Sequence, residues 1–141
     1  MSNPYSNIFR IAATKLRPLL FILSLIVLYR GHQQPGGGFI GGLMAASAYI
    51  LYALAFNSAE ARRKLPLSTS ALLGTGLAVI LVSGLLSVLA GEPFMTGMWT
   101  TLHLPFGQEL HLGTPVLFDA GVYLAVIGVL LTIMFDIIDI E

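Results

Sequence analysis

One acidic residue lies inside a long apolar stretch of this sequence. Asp119 is the only charged residue between Pro115 and Phe135. Ionisable residues are costly to place inside a membrane, so they usually mark ion paths or internal pairs. At 1.5 Å per residue, Asp119 would lie about 6 Å into a helix that begins at Pro115, where the helix dipole also favours an anion. Two interpretations stay open: an ion-path or proton-relay group, and a structural cap or salt bridge.

Two further polar residues could approach Asp119. Arg30 and His32 directly follow the apolar run Leu19–Tyr29. The charge of histidine changes near neutral pH, so His32 is a candidate for gating or proton handling. A lone histidine at a membrane boundary is more often simply hydrogen-bonded. If these residues and Asp119 lie on the same side of a membrane, an Asp119–Arg30 or Asp119–His32 pair is geometrically allowed.

The other titratable groups form no recognisable catalytic or metal site. His103, Glu109 and His111 match no metal-ligand spacing, so we expect no metal and no cofactor. The absence of cysteine excludes disulfides and thiolate chemistry. No Ser-His-Asp or paired-carboxylate arrangement is present at convincing spacing, so we do not expect an enzyme. Seven basic and seven acidic residues, with no basic tract, exclude a nucleic-acid partner.

A glycine-rich segment, "HQQPGGGFIGGL", introduces a second apolar stretch. It lacks the Lys and Ser/Thr of a phosphate-binding loop, and no strand pattern precedes it. Gly37 and Gly41 are four residues apart, as are Gly38 and Gly42. In lipid, small residues at this spacing let helix backbones approach closely. We predict tight helix packing here, with Phe39 as a packing anchor; the simpler alternative is a tight turn between two spans. The spacing recurs more weakly at Gly74/Ala78 and Gly121/Ala125.

The composition indicates what must position these residues. The chain is 56% hydrophobic and 10% charged, with a mean hydropathy of +0.86, whereas soluble domains carry roughly 25% charged residues. We predict an all-α integral membrane protein, a single domain over residues 1–141 with four spans of sufficient length. The predicted spans are about 12–30, 36–56, 67–91 and 115–135. For the first, the alternative is an interfacial segment up to Lys15 followed by a shorter, bent span.

The basic residues predict the orientation. They concentrate on the N-terminal side, at Arg10, Lys15 and Arg17, and in the loop that contains Arg62, Arg63 and Lys64. Because cytoplasmic loops are enriched in Lys and Arg, both termini should be cytoplasmic. Segments 31–37 and 92–114 should then face outward. The second is long and aromatic, which favours contact with the membrane interface or a partner.

Two separated motifs carry a family resemblance. "GHQQPGGGFIGGL" and "LGTPVLFDAGVYLAVIGVLLTI" resemble the B subunit of Mrp-type multi-subunit Na⁺/H⁺ antiporters, and similar domains occur in membrane-bound hydrogenase complexes. The resemblance implies a multi-pass protein of the bacterial cell membrane, surrounded by lipid and by other membrane subunits, in a complex that exchanges Na⁺ and H⁺. The family motifs fall on His32, Pro35, Gly36, Gly37, Gly38, Phe39 and Asp119.

Three hypotheses therefore remain. The chain is an antiporter subunit that also contributes to the ion path, a purely structural assembly subunit, or the equivalent subunit of a membrane hydrogenase. Transporters that work alone usually have larger, repeated helical bundles with midplane sites. Since this chain has few polar residues within its spans, we do not expect it to transport ions by itself.

Overall fold

The fold was analysed in a computed structural model, which describes residues 4–30, 37–89, 91, 99–103 and 109–140. Five helices and two strands are present in this part of the chain. They are α1 (Pro4–Arg30), α2 (Gly37–Ala55), α3 (Ser58–Lys64), α4 (Thr69–Leu89), β1 (Trp99–His103), β2 (Glu109–Gly113) and α5 (Thr114–Ile140).

Four of the helices are long and apolar enough to cross a membrane. They are α1, α2, α4 and α5, which confirms the prediction of a helical membrane protein with four spans. The first helix is longer than expected, because it begins at Pro4 and includes Pro18 within a single helical segment. Its 27 residues would extend about 40 Å. This exceeds the roughly 30 Å of a hydrocarbon core, so the N-terminal turns can extend into the headgroup region.

The four long helices pack side by side in the order α1, α2, α5, α4. The second helix packs between α1 and α5, and α4 packs on the other side of α5. One face of α5 carries Tyr123, Ile127, Leu131 and Phe135 at four-residue spacing, and all four are buried. This spacing places them on one side of the helix. They form the core together with buried alanines and tyrosines of α2.

The segment between α4 and α5 contains a β-hairpin that was not predicted from the sequence. Strands β1 and β2 pair antiparallel, with Trp99 opposite Gly113 and His103 opposite Glu109. The second strand leads directly into α5 at Thr114. In retrospect, "ELHLG" shows the two-residue alternation of a short strand, whereas "WTTLH" shows only the aromatic and β-branched residues that strands favour. Five residues are too few for this pattern to stand out beside four long apolar runs.

The basic segment between α2 and α4 forms the short helix α3. Asn57 precedes it, and its side chain accepts a hydrogen bond of 2.8 Å from the Glu60 N–H. This is an N-cap, which satisfies one of the unpaired donors at a helix start. Arg62 extends from α3 towards the end of α5. Its Nη2 lies 3.4 Å from the Asp139 Oδ2 and 3.8 Å from the Asp136 Oδ1. The acidic end of α5 is thus partly paired.

Candidate functional site at the crossing of α2 and α5

Glycines allow α2 to approach its neighbours closely. A Cβ at Gly42 would lie 2.8 Å from the Val126 Cβ on α5, and one at Gly41 would lie 2.9 Å from the Ser24 carbonyl oxygen on α1. A Cβ at Gly38 would collide with the Asp119 carbonyl oxygen and lie 2.8 Å from the Asp119 Oδ1. No larger side chain fits at these three positions unless the helices separate.

The other residues of the glycine motif are placed differently. Gly37 is buried at the start of α2, while Pro35 and Gly36 lie outside the described residues. The Phe39 side chain is 52% exposed, in a groove that it shares with residues of α4 and α5 such as Leu73 and Val126. Phe39 therefore does not anchor the interior of this chain. The helical period rotates it away from the face that carries Gly38 and Gly42.

Asp119 lies against the start of α2. Its Oδ1 accepts a hydrogen bond of 3.1 Å from the Gly38 N–H. The first N–H groups of a helix have no partner within the helix, so Asp119 on α5 caps α2. Its second oxygen, Oδ2, is buried and has no hydrogen-bond partner within the described part of the chain. Within the described residues, the carboxyl group is thus half satisfied.

Of the two predicted partners of Asp119, Arg30 and His32, the structure describes only Arg30. Arg30 is the last residue of α1 and is exposed. The ion pairs among the described residues involve Arg62 and Arg63, and none of them joins Arg30 to Asp119. His32 lies outside the described residues, so an Asp119–His32 pair stays a prediction.

A second polar contact lies one helical turn further along α5. The Tyr123 hydroxyl is 2.8 Å from the Ser24 Oγ on α1, and both residues are buried. The Ser24 hydroxyl donates to the Phe21 carbonyl oxygen at 2.6 Å. Because a serine hydroxyl has one hydrogen, Tyr123 must be the donor in its bond with Ser24. The Tyr123 ring passes over Gly41, where a Cβ would lie 3.3 Å from the ring.

Sequence reasoning missed this Ser24–Tyr123 bond. The one available signal was that Tyr123 follows Asp119 by four residues, and so lies on the same face of α5. Nothing in the sequence connects this face to Ser24, which is 99 residues away.

Glycines also occupy the crossing of α4 and α5. A Cβ at Gly121 would lie 2.9 Å from the Gly76 carbonyl oxygen, and one at Gly76 would lie 2.7 Å from the Gly121 carbonyl oxygen. By contrast, a Cβ at Gly74 meets no atom of the described residues within 4 Å, and Ala78 is exposed. The predicted Gly74/Ala78 pair is therefore not at a contact within this part of the chain.

The arrangement offers limited chemistry. No group of three His, Asp or Glu residues suited to a metal occurs among residues 4–30, 37–89 and 109–140 or the other described positions. The backbones of His103 and Glu109 face each other across the hairpin, with His111 opposite Thr101. Among the described residues, the Asp119 carboxyl group is the feature best suited to holding a proton or a cation, because one of its oxygens has no partner there.

Four apolar spans, close glycine crossings and a half-satisfied carboxyl group define a small multi-pass helical membrane protein. Residues 8–132 match the family described as "Domain related to MnhB subunit of Na+/H+ antiporter". The chain belongs to this family, which confirms the resemblance noted from its two motifs.

Individual relatives agree with this assignment. The chain is 38% identical over 119 residues to a putative antiporter subunit mnhB2 of Staphylococcus aureus strain MRSA252. It is 37% identical to the protein of the same description from strain Newman. Each alignment covers 84% of both chains.

A solved structure shows the same fold. The chain superimposes on part of the Mrp complex from Dietzia sp. DQ12-45-1b with a TM-score of 0.80 and 30% identity. The match covers 98% of this chain but 15% of that one. In that solved structure, the region that matches the present chain is therefore a small part of a much longer polypeptide.

Proposed function

We propose that this chain is a small membrane subunit of a multi-subunit Na⁺/H⁺ antiporter in the bacterial cell membrane, with both termini cytoplasmic. It acts within a secondary transporter rather than an enzyme. The family assignment and the relatives named as antiporter subunits support this proposal. The match to part of an Mrp complex also supports it. The concentration of basic residues in the N-terminal half of α1 and in α3 supports the orientation.

The first part of the role is assembly. Large apolar side chains on every spanning helix are exposed, including Ile22, Leu54, Leu81 and Ile133. In the membrane these surfaces can contact lipid or neighbouring helices. The glycine crossings hold the four helices together as one unit that larger subunits can pack against.

The second part is a contribution of Asp119 to the ion path. The observation that carries it is the buried Asp119 Oδ2, which has no hydrogen-bond partner among the described residues. A buried charged oxygen without a partner is strongly unfavourable, and either a bound proton or a bound cation removes the penalty. Among the described residues, Asp119 is therefore the group best placed to exchange a proton or cation during transport.

One observation favours the purely structural alternative. The bond from the Gly38 N–H to the Asp119 Oδ1 is a charge-assisted cap, and a hydrogen bond to a charged group contributes roughly 1.5–3 kcal/mol. Asp119 has a sufficient structural reason to be present even if no ion reaches it. A test must therefore separate the cap from the exchangeable proton.

Two substitutions at Asp119 make this separation. Asp119→Asn keeps an oxygen that can accept from Gly38, but removes the charge and the titratable proton. Asp119→Ala removes all three. The assay is Na⁺-dependent proton flux in membrane vesicles, normalised to the amount of assembled complex. Asp136→Asn is the matched control, since Asp136 is an exposed acid at the other end of α5.

We expect Asp119→Asn to assemble normally, with normalised flux reduced or its pH dependence shifted. Asp119→Ala should also reduce assembly, because the Gly38 N–H loses its partner. Asp119→Glu should retain part of the flux because it remains titratable. Unchanged normalised flux and pH profile in Asp119→Asn would remove Asp119 from the ion path and leave the assembly role.

A further inference from the structure

An open pocket of about 210 Å³ lies away from the α2–α5 crossing, where α1 passes the end of α2. It is lined by Arg10, Ile11, Thr14, Lys15 and Phe56. Two of these residues are cationic, two are large and apolar, and none is acidic. This combination has no part in the site described above.

The pocket lies at the depth of lipid headgroups. Arg10 and Arg30 are twenty positions apart on α1, which corresponds to about 30 Å along a helix. This equals the thickness of the hydrocarbon core, so the two arginines lie near opposite membrane surfaces. Lys15 is about 7.5 Å deeper than Arg10 by the same geometry, and its long side chain can extend back towards the surface.

Arg10 is held in place, and the described residues leave most of its donors unused. Its Nε donates to the Ala55 carbonyl oxygen at 3.1 Å, and its guanidinium lies 5.5 Å from the centre of the Phe56 ring. Arginine has five N–H donors. Within the described residues, the Arg10 side chain uses one of them, in its hydrogen bond to Ala55. The guanidinium is thus fixed beside the pocket and can still bind an anion.

The anion must come from outside the described part of the chain. Lys15 is exposed and forms no ion pair there. The acidic residues that the structure describes at this end, Glu60, Asp136 and Asp139, pair with Arg62 or Arg63 of α3. Two positive charges therefore face a pocket with no carboxylate in its lining.

We propose that this pocket binds an anionic phospholipid. Arg10 and Lys15 contact the phosphate, and Ile11 and Phe56 contact the first methylene groups of an acyl chain. Basic pockets between spanning helices are suited to acidic headgroups. A free phosphate would gain nothing from the apolar wall. A zwitterionic lipid would bring its own ammonium cation beside Arg10 and Lys15, whereas an anionic lipid brings its phosphate without one.

The test measures lipid binding by native mass spectrometry. Purified full-length chain in detergent is mixed with phosphatidylglycerol or phosphatidylethanolamine carrying the same acyl chains. We expect preferential binding of phosphatidylglycerol, and a loss of about fivefold in Lys15→Gln, since each basic residue near anionic lipid contributes about one kcal/mol. Lys15→Arg should retain binding. Lys64→Gln removes the same charge from α3, outside the pocket, and should bind as the unsubstituted chain does.

Two results would overturn the proposal. One is equal binding of the two lipids, or equal losses in Lys15→Gln and Lys64→Gln, because either means that attraction is not specific to the pocket. The other is evidence that a protein occupies the pocket. In the assembled complex, a carbodiimide would then link Lys15 to a carboxylate of another subunit, and no phosphatidylglycerol would co-purify with the complex. Lys15 is exposed, so its substitution should leave the size-exclusion profile of the chain unchanged.

Discussion

Adding a single methyl group at Gly42 should weaken the packing of α2 against α5. A Cβ there would lie 2.8 Å from the Val126 Cβ and 3.1 Å from the Tyr123 carbonyl oxygen. Carbon atoms in van der Waals contact are about 3.5–4.0 Å apart, so the helices must separate by about 1 Å at this point. Overpacking of a close contact costs roughly 1–3 kcal/mol. We therefore expect Gly42→Ala to be destabilising.

Gly74 provides a matched control. It also lies within an apolar spanning helix, but its added Cβ would meet no atom of the described residues within 4 Å. Alanine is favoured over glycine within helices by roughly 1 kcal/mol. Gly74→Ala should therefore be neutral or stabilising in the isolated chain, and it has the same intrinsic effect on helix formation as Gly42→Ala.

The assay is the amount of monodisperse full-length chain that remains in detergent after heating to a series of temperatures. For a chain of about this size, 1 kcal/mol shifts the midpoint by roughly 3 °C. The midpoint of Gly42→Ala should lie about 3–9 °C below that of Gly74→Ala, because the two changes share the same gain in helix propensity and differ by the overpacking cost. Gly74→Ala should not lower the midpoint of the unsubstituted chain. Equal midpoints for the two variants would refute the argument, because only the packing at the two sites differs.

Three further outcomes are expected. Ser24→Ala should destabilise the chain more than Tyr123→Phe in the same heating assay. The first change leaves the buried Tyr123 hydroxyl without an acceptor, which costs roughly 1–3 kcal/mol of stability. The second change leaves the Ser24 hydroxyl bonded to the Phe21 carbonyl oxygen. Equal losses would contradict this donor assignment. Asn57→Ala should cost roughly 1 kcal/mol in α3 by removing its N-cap, seen as faster amide exchange within α3; unchanged exchange would show that the cap is unimportant. The purified chain alone, in liposomes with a pH gradient, should not exchange Na⁺ for H⁺; robust exchange would contradict the assignment as a subunit.

The spans could be predicted because they depend on composition more than on detailed packing. A helix that crosses a membrane needs about 20 apolar residues, and the four helices that meet this need are visible as apolar runs. Their ends were less certain. The first helix begins at Pro4, because polar residues such as Lys15 can occupy a helix that extends into the headgroup region.

The partners within the site could not be predicted in the same way. The spacing of Gly38 and Gly42 indicates a close contact, but not that α5 is the neighbour. Gly74 and Gly76 are two positions apart and therefore lie roughly 200° apart around α4. Spacing alone does not determine which of them faces α5, and the structure places Gly76 there.

The central claim is that this chain works as a subunit of a multi-subunit Na⁺/H⁺ antiporter. The most direct test is to purify the tagged chain from its native membrane after gentle solubilisation, and to identify the co-purifying proteins by mass spectrometry. We predict several other membrane subunits in fixed proportion, including large antiporter-like chains, with no hydrogenase subunits. Recovery of the chain alone, or together with the subunits of a hydrogenase, would contradict the account.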